Sequence, residues 1–296
     1  MEKSFLRRSR EDYIMDTIIY ITVAVVFFAC AYPFFFSVVL SFNNGLDAAR
    51  GGIYFWPRKW TMENYQNFFS DDVWIKGIGL SAVRTLIGTV ITTLFTALVA
   101  YGLSFRHLKL RKLYIAIIVF CMYFNGGLIP YYMVLKQLSL LNNFLVYIIP
   151  QALNLFYVIV AISFFQQIPQ ELYESAKLDG AGELRTMTSI IFPLSLPLLA
   201  TIAIFSGVAH WSAWFDSAFF VQDSKLRTLG YLLVDVINKS TSNSMSAGSS
   251  AQATSSVTPL AIQATAMVIA VAPIMAIYPF MQRYFITGLT VGSVKG

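Results

Sequence analysis

Six long apolar runs, separated by short polar stretches, dominate the hydrophobic pattern of this chain. They cover residues 14–42, 79–105, 113–135, 144–165, 194–221 and 260–281. About 20 apolar residues suffice to cross the hydrocarbon core of a bilayer as a helix, and every run reaches that length. The pattern therefore predicts an all-α membrane protein with six transmembrane helices over residues 14–281. A polar N-terminal segment, 1–13, precedes them and a polar tail, 282–296, follows. Within the second run Thr85, Thr89, Thr92, Thr96 and Ala100 recur every three or four residues, so one helical face carries only small side chains. Lipid offers no hydrophobic drive for helix association, and close approach along such a face is the usual route to packing. Pro150, Pro197 and Pro273 fall inside later runs and are expected to bend their helices, since each lacks a backbone donor.

Composition agrees: 57% of the 296 residues are hydrophobic and 12% are charged, with a mean hydropathy of +0.64. A soluble domain carries about 25% charged residues. The net charge of +6 does not indicate nucleic acid, because the cations sit in short clusters between apolar runs. Arg106, Lys109, Arg111 and Lys112 make one connecting loop strongly positive, which by the positive-inside rule predicts that both termini are cytoplasmic. Lys3, Arg7, Arg8 and Arg10 precede the first run, but that run is longer than a signal-peptide core and reads as a retained helix. Cys30 and Cys121 lie in apolar runs without a CxxC or Cys/His cluster, so neither a metal site nor a disulfide is expected. The Ser/Thr/Ala/Gly-rich stretch 240–258 reads as a solvated connector.

The loop between the fourth and fifth runs, 166–193, has a different character. From Gln167 to Pro193 it reads QIPQELYESAKLDGAGELRTMTSIIFP. Pro169 suits a helix start, with Gln170 and Glu171 near the positive helix end. Leu172, Tyr173, Ala176 and Lys177 share one side at helical spacing. Gly180 offers a left-handed stop, and a second short helix fits 182–191. Such a helix could seat in a partner's groove or lie on the membrane as an ordinary amphipathic loop. The residues alone leave both readings open.

Glu174, Ser175, Ala176, Gly180, Ile190, Phe192 and Pro193 resemble the E-A-A-x3-G-x9-I-x-L-P motif of ABC importer permeases, with Ser175 and Phe192 as departures. Tyr32-Pro33-Phe34, Pro57 with Asn64-Tyr65, and Gly126-Gly127-Leu128-Ile129-Pro130 resemble the maltose-type sugar permeases. So do Tyr278-Pro279-Phe280, Gln282-Arg283-Tyr284-Phe285 and the tail from Gly288, especially in the oligosaccharide and polysaccharide branch that includes alginate importers. Trp211-Ser212 departs from the Trp-Asn of many relatives. The resemblance implies a type I ABC importer permease fold with a cytoplasmic coupling helix, in the bacterial cytoplasmic (inner) membrane. It also implies a second permease as heterodimer partner, an external substrate-binding protein, and two ATPase subunits that hold ATP and Mg²⁺. Glu174, Ser175, Ala176, Asp179, Gly180, Ala181 and Pro193 would couple to the ATPase.

This chain has no Gly-Lys-Ser/Thr phosphate loop, so no cofactor and no catalytic residue is expected in it. Polar side chains inside spans are costly and tend to face the bundle interior. Asn125, Gln151, Asn154, Tyr157, Trp211 and Trp214 are the leading candidates for a substrate pathway, with Tyr123, His210, Ser212 and Asp216 behind them. Three other readings remain. A membrane enzyme finds poor support, since His210 and Asp216 are six residues apart and do not face each other on one helix. A secondary carrier often shows internal repeats, and none is evident. A peptide or amino-acid permease would share the loop motif.

Overall fold

The computed structural model describes residues 10–246 and 258–293, with side chains over 11–239 and 258–279. The expectations for Lys3, Arg7 and Arg8, for residues 247–257 of the Ser/Thr-rich stretch, and for tail side chains from Gln282 onward lie outside the described residues; the first part of that stretch, 240–246, is not a connector but continues a helix. Among the described residues the chain is helical without strands, apart from an isolated antiparallel bridge between Asn43 and Trp60. The helices are α1 (Arg10–Ser41), α2 (Gly45–Ala49), α3 (Glu63–Ser70), α4 (Asp72–Ser104), α5 (Arg111–Tyr123), α6 (Leu128–Gln137) and α7 (Leu155–Phe165). They continue as α8 (Gln170–Leu178), α9 (Glu183–Thr186), α10 (Phe192–Leu194), α11 (Leu196–Ser212), α12 (Phe215–Phe220), α13 (Leu229–Ser246) and α14 (Pro259–Ser293). Three of them are long and apolar enough to cross a membrane unaided, over Glu11–Ser41, Asp72–Ser104 and Pro259–Pro279. Three bent pairs qualify jointly, for up to six crossings.

The chain divides into two compact units. The first comprises residues up to Ser70 together with 236–269. Its core gathers Val39, Leu40, Ala48, Ile53 and Ala264, with Phe36 packed against it. The turn after α1 is held by side-chain amides. Asn64 Nδ2 donates to the carbonyls of Ser41 and Asn43, each at 2.9 Å, and Asn43 Oδ1 accepts from the Lys59 amide at 2.9 Å. Arg58 Nε reaches Asp47 Oδ2 at 3.1 Å.

The second unit, residues 71–235 and those from 270 onward, is organised around α4, which packs against α11 and α7. Asp71 caps α4 by accepting from the Val73 amide at 2.9 Å. The expected small face is used: Thr92, Thr96 and Ala100 are buried, and a Cβ on Gly207 of α11 would come within 3.3 Å of Thr89 Oγ1. Around the end of α4, Ala100, Tyr101 and Leu103 join Val158, Ala161, Ile162 and Phe165 of α7 and Met187, Ile191, Leu198 and Ile202 in the larger core.

Three apolar runs are not continuous helices; the fifth is interrupted at Ala213 and Trp214, between α11 and α12. The third breaks between Tyr123 and Leu128 with a 114° bend, where Gly127 at φ +86° takes the left-handed region that glycine alone enters freely. The fourth begins as a 3₁₀ turn, Phe144–Tyr147, and stays non-helical until Leu155. Its proline, Pro150, therefore lies in an unwound stretch rather than kinking a helix, and Gln151 does not stand one helical turn from Asn154. Pro197 likewise stands in the first turn of α11, just past an 81° bend. Pro33 and the pair Pro273 and Pro279 do lie inside helices, α1 and α14.

Candidate functional site

The 166–193 loop folds into a short, well-terminated helix. Nine residues are too few for a helix to persist alone in water, so α8 depends on its end cap and its anchor. At the C-terminus Ala181 N–H donates to Ala176 C=O at 2.9 Å and Gly180 N–H to Lys177 C=O at 3.1 Å. These are the two bonds of a Schellman motif, which needs a left-handed residue in the Gly180 position. Gly180 has φ +75°, and among the described residues no atom beyond its immediate chain neighbours lies within 4 Å of where its Cβ would be. Conformation, not space within this chain, requires the glycine. The anchor is aromatic: Tyr173 stacks on Tyr101 at 6.3 Å and meets Phe105 edge-on at 5.6 Å, beside buried Ala176. Burial lifts the Tyr173 phenol above its ordinary pKa. Glu183 ties the next turn back by accepting from Tyr101 Oη at 3.1 Å and pairing with Lys177 Nζ at 3.2 Å. That pair is more than half exposed at both ends, so it contributes about 0.2–1 kcal/mol. The rings hold α8 more firmly than the charges do. A cavity of about 980 Å³ lies between this loop and the 101–108 segment.

A second polar cluster lies inside the helical bundle of the same unit. Arg84, fully buried on α4, donates through Nη2 to Asp216 Oδ2 of α12, and its guanidinium lies 4.5 Å from the Tyr147 ring centre. Gln151 Nε2 donates to the same Asp216 oxygen at 2.7 Å, and Thr92 Oγ1 donates to the Gln151 carbonyl at 2.8 Å. Unwound backbone at membrane depth is tolerated only where other groups satisfy it, and Thr92 of α4 does so for the Gln151 carbonyl, while Asp216 of α12 holds the Gln151 side chain. Thr92 Oγ1 also lies 3.3 Å from His210 Nε2. The His210 ring occupies the space left by Gly88, where a Cβ would come within 2.5 Å of it. A cavity of about 260 Å³ opens beside this cluster, lined by Thr92, Gln151, Asn154, Tyr157, Ser206 and His210 among others.

The importer resemblance implies a coupling helix in this loop, and α8 is the short helix that stands there, tied by rings to the end of α4. Residues 109–291 match the family model described as "Binding-protein-dependent transport system inner membrane component". The chain belongs to that family. Members are non-enzymatic membrane subunits, and the ATPase of such a transporter is a separate subunit. The permease is 37% identical to Protein LplC of Bacillus subtilis (strain 168) over 89% of each chain. It is 34% identical to the polygalacturonan/rhamnogalacturonan transport system permease protein YtcP of the same strain, covering 97% of this chain and 100% of that protein. Among solved structures, a chain of a bacterial ABC transporter involved in the import of the acidic polysaccharide alginate superposes with a TM-score of 0.86 at 26% identity. That match covers 94% of the permease and 99% of the other chain. The type I importer permease fold is thereby established for the permease.

The sequence-derived residues distribute unevenly over this fold. Of the loop residues, Glu174, Ser175, Asp179, Gly180 and Pro193 are exposed, Ala181 is half-buried, and Ala176 is buried against the permease itself. The Ser175 hydroxyl turns back to the Glu171 carbonyl at 2.8 Å. Leu178, 87% exposed, and Leu184, 71% exposed, join that outer surface and were not anticipated. Among the pathway candidates, Gln151, Asn154 and Tyr157 meet at the smaller cavity, joined by His210. Asn154 Oδ1 caps α7 by accepting from the Phe156 and Tyr157 amides at 3.1 and 3.2 Å. Asn125 lies elsewhere, at the break before α6, where it accepts from the Gly127 amide. Trp211 Nε1 donates to the Ala270 carbonyl at 2.8 Å, so its indole edge is committed to packing. Trp214, Ser212 and Tyr123 are exposed and away from the cavity. Asp216 turns out to be the partner of Arg84, a residue the sequence reading passed over. A lone cation inside an apolar run, six residues into 79–105, is the available signal.

Proposed function

We propose that the permease carries a sugar, specifically an oligosaccharide released from a larger glycan, across the bacterial inner membrane by alternating access. It would work with a second permease subunit, two ATPase subunits that bind ATP and Mg²⁺, and an external substrate-binding protein. The observation that carries this reading is α8 with its Schellman cap: a short rigid lever, exposed on one face and packed on the other. The exposed face presents Glu174, Asp179, Gly180 and the apolar Leu178 and Leu184 to a partner, which this reading identifies as the ATPase. The packed face, through Tyr173 on Tyr101 and Phe105, passes displacement into the end of α4, and the chain itself passes it into α7. The energy delivered is the difference in ATPase affinity for the two conformations and no more. In this arrangement the 166–193 loop and both termini are cytoplasmic. Gln151, Asn154 and Tyr157 contribute this subunit's share of the pathway, while Asn125, Trp211 and Trp214 serve architecture. The glycan transport named for YtcP and for the alginate importer supports the substrate class.

The test is uptake by the permease reconstituted with its operon-encoded partners, using labelled oligosaccharides of several linkages beside a peptide panel. ATP-dependent accumulation of a saccharide, and of no peptide, is expected. A Leu178→Cys variant should crosslink to the ATPase subunit. Peptide uptake, or a residue-178 cysteine labelled only from the external side, would refute the assignment.

A further inference from the structure

The turn after α1 holds three large side chains away from the protein. Tyr54, Phe55 and Trp56 are each more than 60% exposed, whereas the residues on either side, Ile53 and Pro57, are buried. Ile53 is locked into the core with Val39, Leu40 and Ala48. The Tyr54 carbonyl accepts from Tyr32 Oη at 3.4 Å, Phe55 meets the Tyr32 ring edge-on at 5.9 Å, and Trp56 meets Trp60 edge-on at 5.5 Å. These contacts fix a hook of aromatic rings whose outer faces are left open by the described residues.

The position of the hook along α1 is informative. Tyr32 lies nine residues before the end of α1 at Ser41, which is about 13 Å at 1.5 Å per residue. The chain therefore turns back along α1 after leaving it. Exposed apolar side chains line α1 from Ile18 to Phe35, and no Asp, Glu, Lys or Arg occurs between Asp16 and Asp47. Eighteen helical residues span about 27 Å, close to the thickness of a hydrocarbon core of about 30 Å. Tyr32 falls three residues inside the end of that band, and the hook lies beside it. The cations lie farther out. Lys59 is hydrogen-bonded to the level of Asn43 and Asn44, and Arg58 is bound to Asp47 and the Gly51 carbonyl. Rings at the edge of the hydrocarbon with cations on the water side is the ordering that membrane interfaces select.

We infer that residues 54–56 are a re-entrant interfacial anchor, inserted among the lipid headgroups and upper acyl chains at the C-terminal end of α1. It would fix the depth of α1, and with it the level at which the turn 43–65 stands above the bilayer. This inference does not depend on what the permease transports. A saccharide-stacking platform would need the same rings in water, and a protein interface would need them covered by another subunit.

The test places a nitroxide spin label at position 55, and separately at 56, in a full-length permease whose Cys30 and Cys121 are serine. The permease, with the subunits that co-purify, is set in lipid nanodiscs. Labels at position 27, on the lipid-facing stretch of α1, and position 50 serve as lipid and water references. The expected result is a ratio of oxygen to nickel-chelate accessibility that matches position 27 and exceeds position 50 several-fold. A ratio equal to that at position 50 would overturn the inference, as would exclusion of both reagents or a change in label mobility on adding oligosaccharide. Because positions 55 and 56 are exposed, neither variant disturbs the core.

Discussion

Gly180 separates two physical reasons for a glycine, and replacing it tells them apart. If its φ of +75° matters, alanine there costs about 1–2 kcal/mol. Part of this is offset because the unfolded chain loses freedom too, by about 0.4–1 kcal/mol. A net cost near 1 kcal/mol reduces the capped population of α8 by a factor of about 5. Asparagine is larger than alanine but enters the left-handed region more readily, so it should function at least as well as alanine. Proline should fail. It fixes φ near −65°, removes the N–H that bonds Lys177 C=O, and disfavours the α-like conformation of Asp179 at φ −76° and ψ 4°. The total exceeds about 3 kcal/mol. The conformational argument thus predicts the order Gly, Asn, Ala, Pro. If close approach by a partner is what matters, volume decides and alanine must outrank asparagine. The assay is the initial rate of ATP-driven uptake in membrane vesicles, normalised to inserted permease, alongside ATPase stimulation by the binding protein. Wild-type transport by Gly180→Ala with an inactive Gly180→Asn would refute the conformational account, and normal uptake by Gly180→Pro would refute the lever itself.

Other perturbations follow from the same geometry. Arg84→Met should destabilise the permease by about 3–5 kcal/mol by leaving Asp216 buried without its cation, whereas Arg84→Met with Asp216→Leu should recover much of the loss in a thermal-melt assay. Gly88→Ala drives a Cβ into the His210 ring and should cost about 1–3 kcal/mol, relieved by adding His210→Ala. Tyr173→Ala should uncouple ATP hydrolysis from uptake, while Glu183→Gln, which loses only an exposed pair with Lys177, should change either rate little. Asp47 is held below the ordinary aspartate pKa first by its hydrogen bond from Asn43 and then by Arg58. Its contribution is therefore complete above about pH 4 and is lost as pH falls through the lower folded value. Hydrogen-exchange protection over 43–65, taken relative to the intrinsic rate at each pH, should fall selectively on acidification, with no matching change in α4.

How much of this could be read beforehand depends on the range of each interaction. The α8 helix, its Gly180 stop and the small face of α4 are local patterns of three to five residues, and the structure reproduces them. The breaks in the third and fourth runs were signalled by Gly126-Gly127 and by Pro150 with Asn154, but hydropathy averages over such signals and reports continuous apolar runs. Asn154 stands out in the sequence for its polarity inside a span; in the fold it both lines the cavity and caps α7, and only the first of these is a pathway role. The Arg84–Asp216 pair joins residues 132 positions apart, and no local pattern encodes such a pairing. Trp211 is a pathway candidate by sequence, yet the Ala270 carbonyl, 59 residues away, takes its N–H.

The unwound joint before α7 has a practical corollary for building hybrid transporters. Its acceptors and donors are met by Thr92 and Asp216, which come from two distant parts of the chain. Transplanting residues 148–154 alone into another scaffold would strand those groups in an oily environment. A graft meant to alter cargo choice must move as a set, bringing along the threonine, the aspartate and the arginine that neutralises it.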